Sequence, residues 1–89
     1  MAIFETVTIK DVKVEIGDMI KLHRKRRKLN QDELAAQLNM SRITISNLEQ
    51  GKNTTLDTLL KALLYFDLLD NFHQYLSDQI MAKQQNSLY

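Results

Sequence analysis

Apolar and polar positions alternate most regularly in the middle of the chain. Six apolar residues recur there at helical spacing between polar ones: Leu34, Ala35, Leu38, Met40, Ile45 and Leu48. Asn30 and Ser41 each stand where an N-cap is needed, and Asn39 tolerates the left-handed conformation of a tight turn. The pattern predicts two short helices, over residues 31–38 and 42–50, that cross around a shared apolar core.

The same periodicity predicts three further helices. One covers residues 16–28, another starts after Thr54 or Thr55, and the last covers about residues 69–80. In the first of these helices Ile16, Ile20 and Arg24 share one face, with Met19 beside them. The second is apolar nearly all round and so needs two packing partners; its apolar residues are Leu56, Leu59, Leu60, Leu63, Leu64 and Phe66. The last carries Phe72, Tyr75, Leu76 and Ile80. Gly51 follows the helix of residues 42–50, where a positive φ is needed.

The two ends of the chain differ from this helical pattern. Residues 2–10 are rich in β-branched side chains and alternate in parity, which predicts one β-strand. Because one strand needs a partner, we expect residues 1–15 either to pair across a two-fold axis or to form a flexible arm. The polar residues 81–89 predict a mobile tail. The predicted domain is therefore residues 16–80, and its class is all-α with a short N-terminal strand.

Composition restricts the kinds of site that the chain can carry. The 89 residues contain no cysteine, and His23 and His73 have no neighbouring ligand cluster or nucleophile. We therefore expect no enzymatic activity, no metal and no cofactor. No apolar run is long enough to cross a bilayer, and the N-terminus lacks the pattern of a secretory signal, so we expect a cytoplasmic protein without a membrane partner.

Charge is divided unevenly along the chain. Residues 21–52 hold eight Lys and Arg against three acids, a net charge of +5, whereas the flanks together carry −4. Five of the basic residues form the run from Arg24 to Lys28. Such segregation indicates a surface that faces a polyanion, although a solvated basic helix face is the simpler alternative.

The central segment resembles a known family. LNQDELAAQLNMSRITISNLEQGK, together with the upstream IGDMIKLHRKRRKLNQDELA, is similar to the Cro/C1-type repressors, the XRE family of the phage 434 repressor. The resemblance covers about residues 16–66. It implies a lambda repressor-like domain of five helices with a helix-turn-helix. Such a domain binds double-stranded DNA as a nucleoid-associated homodimer and represses transcription from a palindromic operator.

Site residues follow from this resemblance and from the helical geometry. The outer face of the second motif helix predicts the base contacts Arg42, Ile43, Ser46 and Asn47. The predicted phosphate contacts are Asn30, Gln31, Ser41, Thr44, Lys52 and Asn53. Arg24 and Glu49 correspond to family residues that form a structural ion pair between the first and third helices.

Two alternative functions stay open. TISNLEQGKNTTLDTLLKAL is similar to the antitoxins of the Hip modules, and QQN precedes a terminal aromatic, Tyr89, as in their tails. That resemblance implies an antitoxin that regulates its own operon and binds a kinase-like toxin. The third interpretation is a protein-interaction adaptor whose helix-turn-helix no longer binds DNA.

Overall fold

The computed structural model describes residues 6–87, with side chains to residue 82, as a succession of α-helices. Their bounds are α1 Ile9–Arg26, α2 Gln31–Leu38, α3 Arg42–Glu49, α4 Leu56–Tyr65 and α5 Leu69–Ser87. The all-helical class and the five helices agree with the sequence-based prediction. None of the helices in residues 6–87 combines the length and the hydropathy of a transmembrane segment.

The prediction of an N-terminal strand is wrong for the residues that the structure describes. Residues 1–5 lie outside the described part, residues 6–8 have no regular structure, and α1 starts at Ile9. Thr8 is its N-cap: the Thr8 hydroxyl accepts from the Asp11 amide at 3.0 Å, while the Asp11 carboxylate accepts from the Thr8 amide at 3.1 Å. This reciprocal capping stabilises a helix start that overrides the β preference of the neighbouring residues.

Three other helix ends also differ from the predicted bounds. α3 ends one residue early, at Glu49, with Gln50 as its C-cap. α1 ends at Arg26, because Arg27 is its C-cap and Lys28 takes the left-handed φ of 58°. α5 runs to Ser87 and so continues through most of the predicted tail, of which residues 88 and 89 lie outside the described part. The predicted divisions after residues 15 and 80 therefore fall inside α1 and α5.

The caps of the two central helices are confirmed. Asn30 accepts from the Glu33 amide at 2.7 Å, and the Glu33 carboxylate accepts from the Asn30 amide at 2.8 Å. Ser41 accepts from the Thr44 amide at 3.1 Å. Asn39 takes the left-handed conformation with φ 56°, so the chain turns sharply between α2 and α3.

The core lies where α1, α2, α3 and α4 meet. Its buried apolar side chains are Ile20, Leu34, Ala35, Leu38, Ile45, Leu48, Ala62, Leu63 and Phe66. α5 packs on α4 through partly buried residues such as Leu69 and Phe72. The inner face of α3 thus packs against other helices of the core. This packing fixes the orientation of α3 and leaves its outer face directed away from the core.

Candidate nucleic-acid interface

α3 has two faces of opposite character. Its inner residues Ile45, Leu48 and Glu49 are buried. On the outer side, Arg42 is exposed and Ile43 has 72% of its surface accessible. Because Ile43 is so exposed, it contributes little to the stability of the core. It can instead contact an apolar group of a binding partner, while Arg42 contacts a polar one.

The other predicted base contacts lie further along α3. Ser46 and Asn47 are half-buried. The Gln50 amide donates to the Ser46 hydroxyl at 2.7 Å, which places an exposed Gln50 beside the predicted contacts. Sequence reasoning treated Gln50 only as the end of the helix. Its spacing of four residues from Ser46 was the signal that both share a face.

Arg42 has one weakly held partner. Its Nε atom lies 3.9 Å from Oδ1 of Asp32, and both side chains are mostly exposed. At this distance and exposure the ion pair contributes little, because water and salt screen it. The guanidinium can therefore exchange Asp32 for another hydrogen-bond acceptor.

Four of the predicted phosphate contacts are bound to the protein itself. Asn30 and Ser41 act as caps, and the hydroxyls of Ser41 and Thr44 share a hydrogen bond of 2.9 Å. Gln31, which is half-buried at the start of α2, donates from Nε2 to Glu49 Oε1 at 3.1 Å. These hydrogen bonds fix the orientation of the side chains near the helix N-termini, where backbone N–H groups favour anions.

The other two predicted phosphate contacts lie in the loop of residues 50–55, which we call the α3–α4 loop. Lys52 is exposed. Asn53 is exposed and accepts at Oδ1 from Nζ of Lys13, at 2.6 Å. Sequence reasoning missed Lys13, because the segment that carries it was predicted to be a strand or an arm instead of the first half of α1.

A polar groove connects α3 with this loop. It has a volume of about 230 Å³ and is lined by Thr44, Asn47, Asn53, Thr54, Thr55 and Thr58. Thr55 caps α4 by accepting from the Thr58 amide at 3.1 Å. The groove therefore brings one predicted base contact and two predicted phosphate contacts next to the start of α4, together with threonines for which sequence reasoning gave no contact role.

The ion pair between Arg24 and Glu49 lies behind the outer face of α3. Arg24 donates from Nε to Oε2 at 2.7 Å and from Nη2 to Oε1 at 3.0 Å, and a third donation reaches the Leu29 carbonyl at 2.8 Å. These are the only charged residues buried among the described side chains. The hydrogen bond to Glu49 raises the pKa of Arg24 although burial acts in the opposite direction. The pair joins α1 to α3.

The basic run at the end of α1 is not uniformly available. Arg27 donates to the Tyr65 carbonyl at 2.9 Å and to the Asp67 carboxylate at 3.3 Å. Its guanidinium also lies 5.0 Å from the ring centre of Tyr65 and 5.1 Å from that of Phe66. Cation–π contacts of this kind stabilise packing. These contacts of Arg27 therefore join the C-terminal end of α1 to the C-terminal end of α4.

Comparison with known proteins assigns the chain to a family. The model of the helix-turn-helix family HTH_3 matches residues 20–69, more than half of the chain. The match contains all of α2, α3 and α4, and extends from the second half of α1 to the first residue of α5. None of the curated proteins matches the sequence. Within the described residues, no group of acidic and histidine side chains could hold a metal ion. The chain belongs to the HTH_3 helix-turn-helix family, the Cro/C1-type (XRE) family of DNA-binding transcription regulators.

Proposed function

We propose that this regulator is a sequence-specific repressor that binds a palindromic operator as a homodimer. One observation supports this most: Arg42 and Ile43 on the outer face of α3 are exposed, while its inner face is buried and tied to α1 by Arg24 and Glu49. A rigidly held helix with a free polar face fits the major groove.

The residues on that face supply suitable chemistry. α3 has eight residues, and an α-helix with its side chains is about 10–12 Å across, which fits the width of the major groove, about 12 Å. Arg42 can donate two hydrogen bonds to a guanine edge, Asn47 can pair with adenine, and Ile43 can contact a thymine methyl group. Ser46 lies beside them and can donate to either purine. Recognition in this proposal combines polar and apolar contacts.

The phosphate contacts come from the edges of the same surface. Backbone N–H groups at the starts of α2 and α3, near Gln31 and Ser41, face an anion favourably. Lys52 adds a positive charge in the α3–α4 loop. Since these contacts do not depend on base identity, they set the register on the duplex and make binding sensitive to salt.

A homodimer follows from the size of the recognition unit, because one short helix reads only a few base pairs. The surface of α4 and α5 supports self-association. Leu56, Leu64, Leu76 and Ile80 are large apolar residues on these helices that stay exposed. An apolar groove of about 530 Å³ also runs between the two helices, along Leu60 and Phe72. A dimer bound across a promoter would prevent RNA polymerase from binding there and so repress transcription. Binding to chromosomal DNA would also place the protein on the nucleoid.

Selection of bound sites from random duplex DNA tests this proposal. We expect an enriched inverted repeat whose half-sites lie about 10 base pairs apart, centre to centre, or a multiple of that spacing. The observed affinity should fall steeply between about 50 and 200 mM salt, since condensed counterions are released on binding. Absence of any enriched sequence, or binding that salt does not affect, would contradict the proposal.

An antitoxin of the Hip type is the second candidate. Its support is the resemblance of residues 44–63, which include the start of α4 and the threonines of the polar groove. The terminal Tyr89, the suggested anchor for a toxin, lies outside the described residues. Purifying the regulator with the product of its neighbouring gene tests this candidate. A kinase-like partner that dissociates when Tyr89 is replaced by Ala would favour it, and a neighbouring gene of another kind would count against it.

A further inference from the structure

We propose that Lys13, in the first half of α1, is an additional DNA-contacting residue that also orients Asn53 in the α3–α4 loop. This inference rests on the proposed function, because it extends the same DNA-facing surface onto another helix. Lys13 lies before residue 20, where the family match begins. The family assignment therefore gives no role to this part of α1.

The first half of α1 is packed unusually closely on the end of α3. A Cβ atom on Gly17 would collide with the carbonyl of Glu49 and would lie 2.8 Å from that of Leu48. A Cβ atom on Gly51 would lie 3.1 Å from the backbone of Val14. The chain has only these two glycines, and both lie at this junction. The backbone of α1 is therefore fixed relative to the start of the α3–α4 loop.

This junction places Lys13 against the loop. Its Nζ atom donates to Oδ1 of Asn53 at 2.6 Å, across 40 residues of sequence. Because that oxygen is the acceptor, the Nδ2 group of Asn53 is left as the donor toward an anion. An ammonium has three N–H donors, so Lys13 can hold Asn53 and still donate to a phosphate oxygen.

The surroundings of Lys13 match a phosphate of duplex DNA. Lys13 and Lys52 line the same open groove, of about 380 Å³, whose polar rim also includes Asn53, Thr54 and Thr55 and whose apolar residues are Ile16, Leu56 and Leu59. Two ammonium groups, an amide and two hydroxyls are the groups that bind the DNA backbone in proteins. The groove of Lys13 also shares Asn53, Thr54 and Thr55 with the polar groove beside α3. A duplex whose major groove receives α3 would thus present a phosphate strand to Lys13.

Binding assays on the selected operator test this role, with Lys13→Gln as the variant and Lys21→Gln as the matched control. Lys21 is exposed on α1 whereas Lys13 is half-buried, and both changes remove one positive charge from the same helix. We expect Lys13→Gln to lower the affinity about three- to tenfold at about 0.1 M salt, and to reduce the slope of log K against log salt by about 0.9. Lys21→Gln should leave that slope unchanged. Equal slopes for the two variants would overturn the inference.

A double-mutant cycle separates the orienting role from general stability. Asn53→Ala and Lys13→Gln should be coupled: the double variant should bind less weakly than the product of the two single losses predicts. Lys13→Arg should retain most of the affinity, because Arg keeps the charge and can donate to Asn53. Equal loss of affinity in Lys13→Arg and Lys13→Gln, or additive losses in the cycle, would contradict the role assigned here.

The same measurements distinguish this inference from the proposed function. If the wild-type protein binds no duplex DNA with a steep salt dependence, the proposed function fails. If the wild type binds its operator but Lys13→Gln binds equally well with an unchanged slope, only the role of Lys13 fails. Thermal unfolding midpoints, which we expect to agree within a few degrees, show whether each variant is folded.

Discussion

Arginine meets a carboxylate at both ends of α3, in opposite surroundings. At the C-terminal end, Arg24 contacts Glu49 at 2.7 Å, and the two side chains are 9% and 2% exposed. At the N-terminal end, Arg42 lies 3.9 Å from Asp32, with exposures of 65% and 73%. The same pairing of charges therefore appears once inside the protein and once in solvent.

This difference in solvent exposure implies different roles for the two arginines. In water, two unit charges about 4 Å apart attract by only about 1 kcal/mol, most of which is offset by side-chain entropy and screening. Arg42 can leave such a partner at little cost. Arg24 cannot, because Glu49 would stay buried without a counter-charge. The buried pair fixes α3 in place, and the exposed pair leaves its other end free to bind.

Replacing Arg24 with Ala should have the largest effect. We expect a loss of about 3–5 kcal/mol in the free energy of unfolding, because the Glu49 carboxylate loses its buried partner. Urea denaturation followed by circular dichroism measures this loss. Arg26→Ala is the matched control, since Arg26 is exposed on the same helix and its removal should cost less than about 0.5 kcal/mol.

A double replacement tests whether the loss comes from the buried charge. Arg24→Met combined with Glu49→Leu removes both charges but keeps much of the side-chain volume, and should recover a large part of the lost stability. A double variant less stable than Arg24→Ala would show that the packing of these side chains matters more than their charge.

Arg42→Ala should have the second largest effect, on DNA binding instead of folding. We expect a loss of about 1–3 kcal/mol in binding the operator and a relaxed preference at one base pair. The unfolding free energy should change by less than about 0.5 kcal/mol, since Arg42 is exposed. Competition assays against operators with single base-pair changes measure the relaxed preference. A uniform loss on all sequences would instead identify Arg42 as a phosphate contact.

The sequence predicted the central part of the fold because its signals are local. Asn30, Ser41 and Asn39 determine two caps and a turn through side chains and backbone within four residues. Gly51, with φ 72°, marks the end of α3 in the same way. Local rules of this kind need no knowledge of tertiary contacts.

The first half of α1 could not be predicted so well. Val7 and Ile9 favour the predicted strand, and this weak preference is overridden by the Thr8–Asp11 capping box and by the packing of Val14 on Gly51. The capping box is a local signal, within three residues, that sequence reasoning overlooked. The packing of Val14 on Gly51 joins positions far apart in the sequence. The hydrogen bond between Lys13 and Asn53 was hidden for the same reason, whereas most of the predicted base and phosphate contacts lie on elements that the sequence did place.

Lys52→Ala should have a smaller effect than Arg42→Ala and one of a different kind. Lys52 is exposed in the α3–α4 loop, where it can contact a phosphate but not a base edge. We expect all duplexes to bind more weakly by about the same factor, and the salt dependence to fall by about one counterion. Titrations of several duplexes with the variant, each at several salt concentrations, measure the loss of affinity and the salt dependence. An unchanged slope would show that Lys52 does not contact the DNA backbone.

Asp32→Asn should have the smallest effect and tests the exposed end of α3 most directly. The change removes a negative charge near Arg42, so the affinity for DNA should rise, by about twofold, while stability falls by less than about 0.5 kcal/mol. If Asp32 competes with DNA for the guanidinium, the gain should shrink in the Arg42→Ala background, because the partner is then absent. A gain of the same size in both backgrounds would mean that Asp32 only repels the DNA backbone. The two ends of α3 would then differ only in how deeply their ion pairs are buried. Arg42 would not exchange Asp32 for DNA on binding.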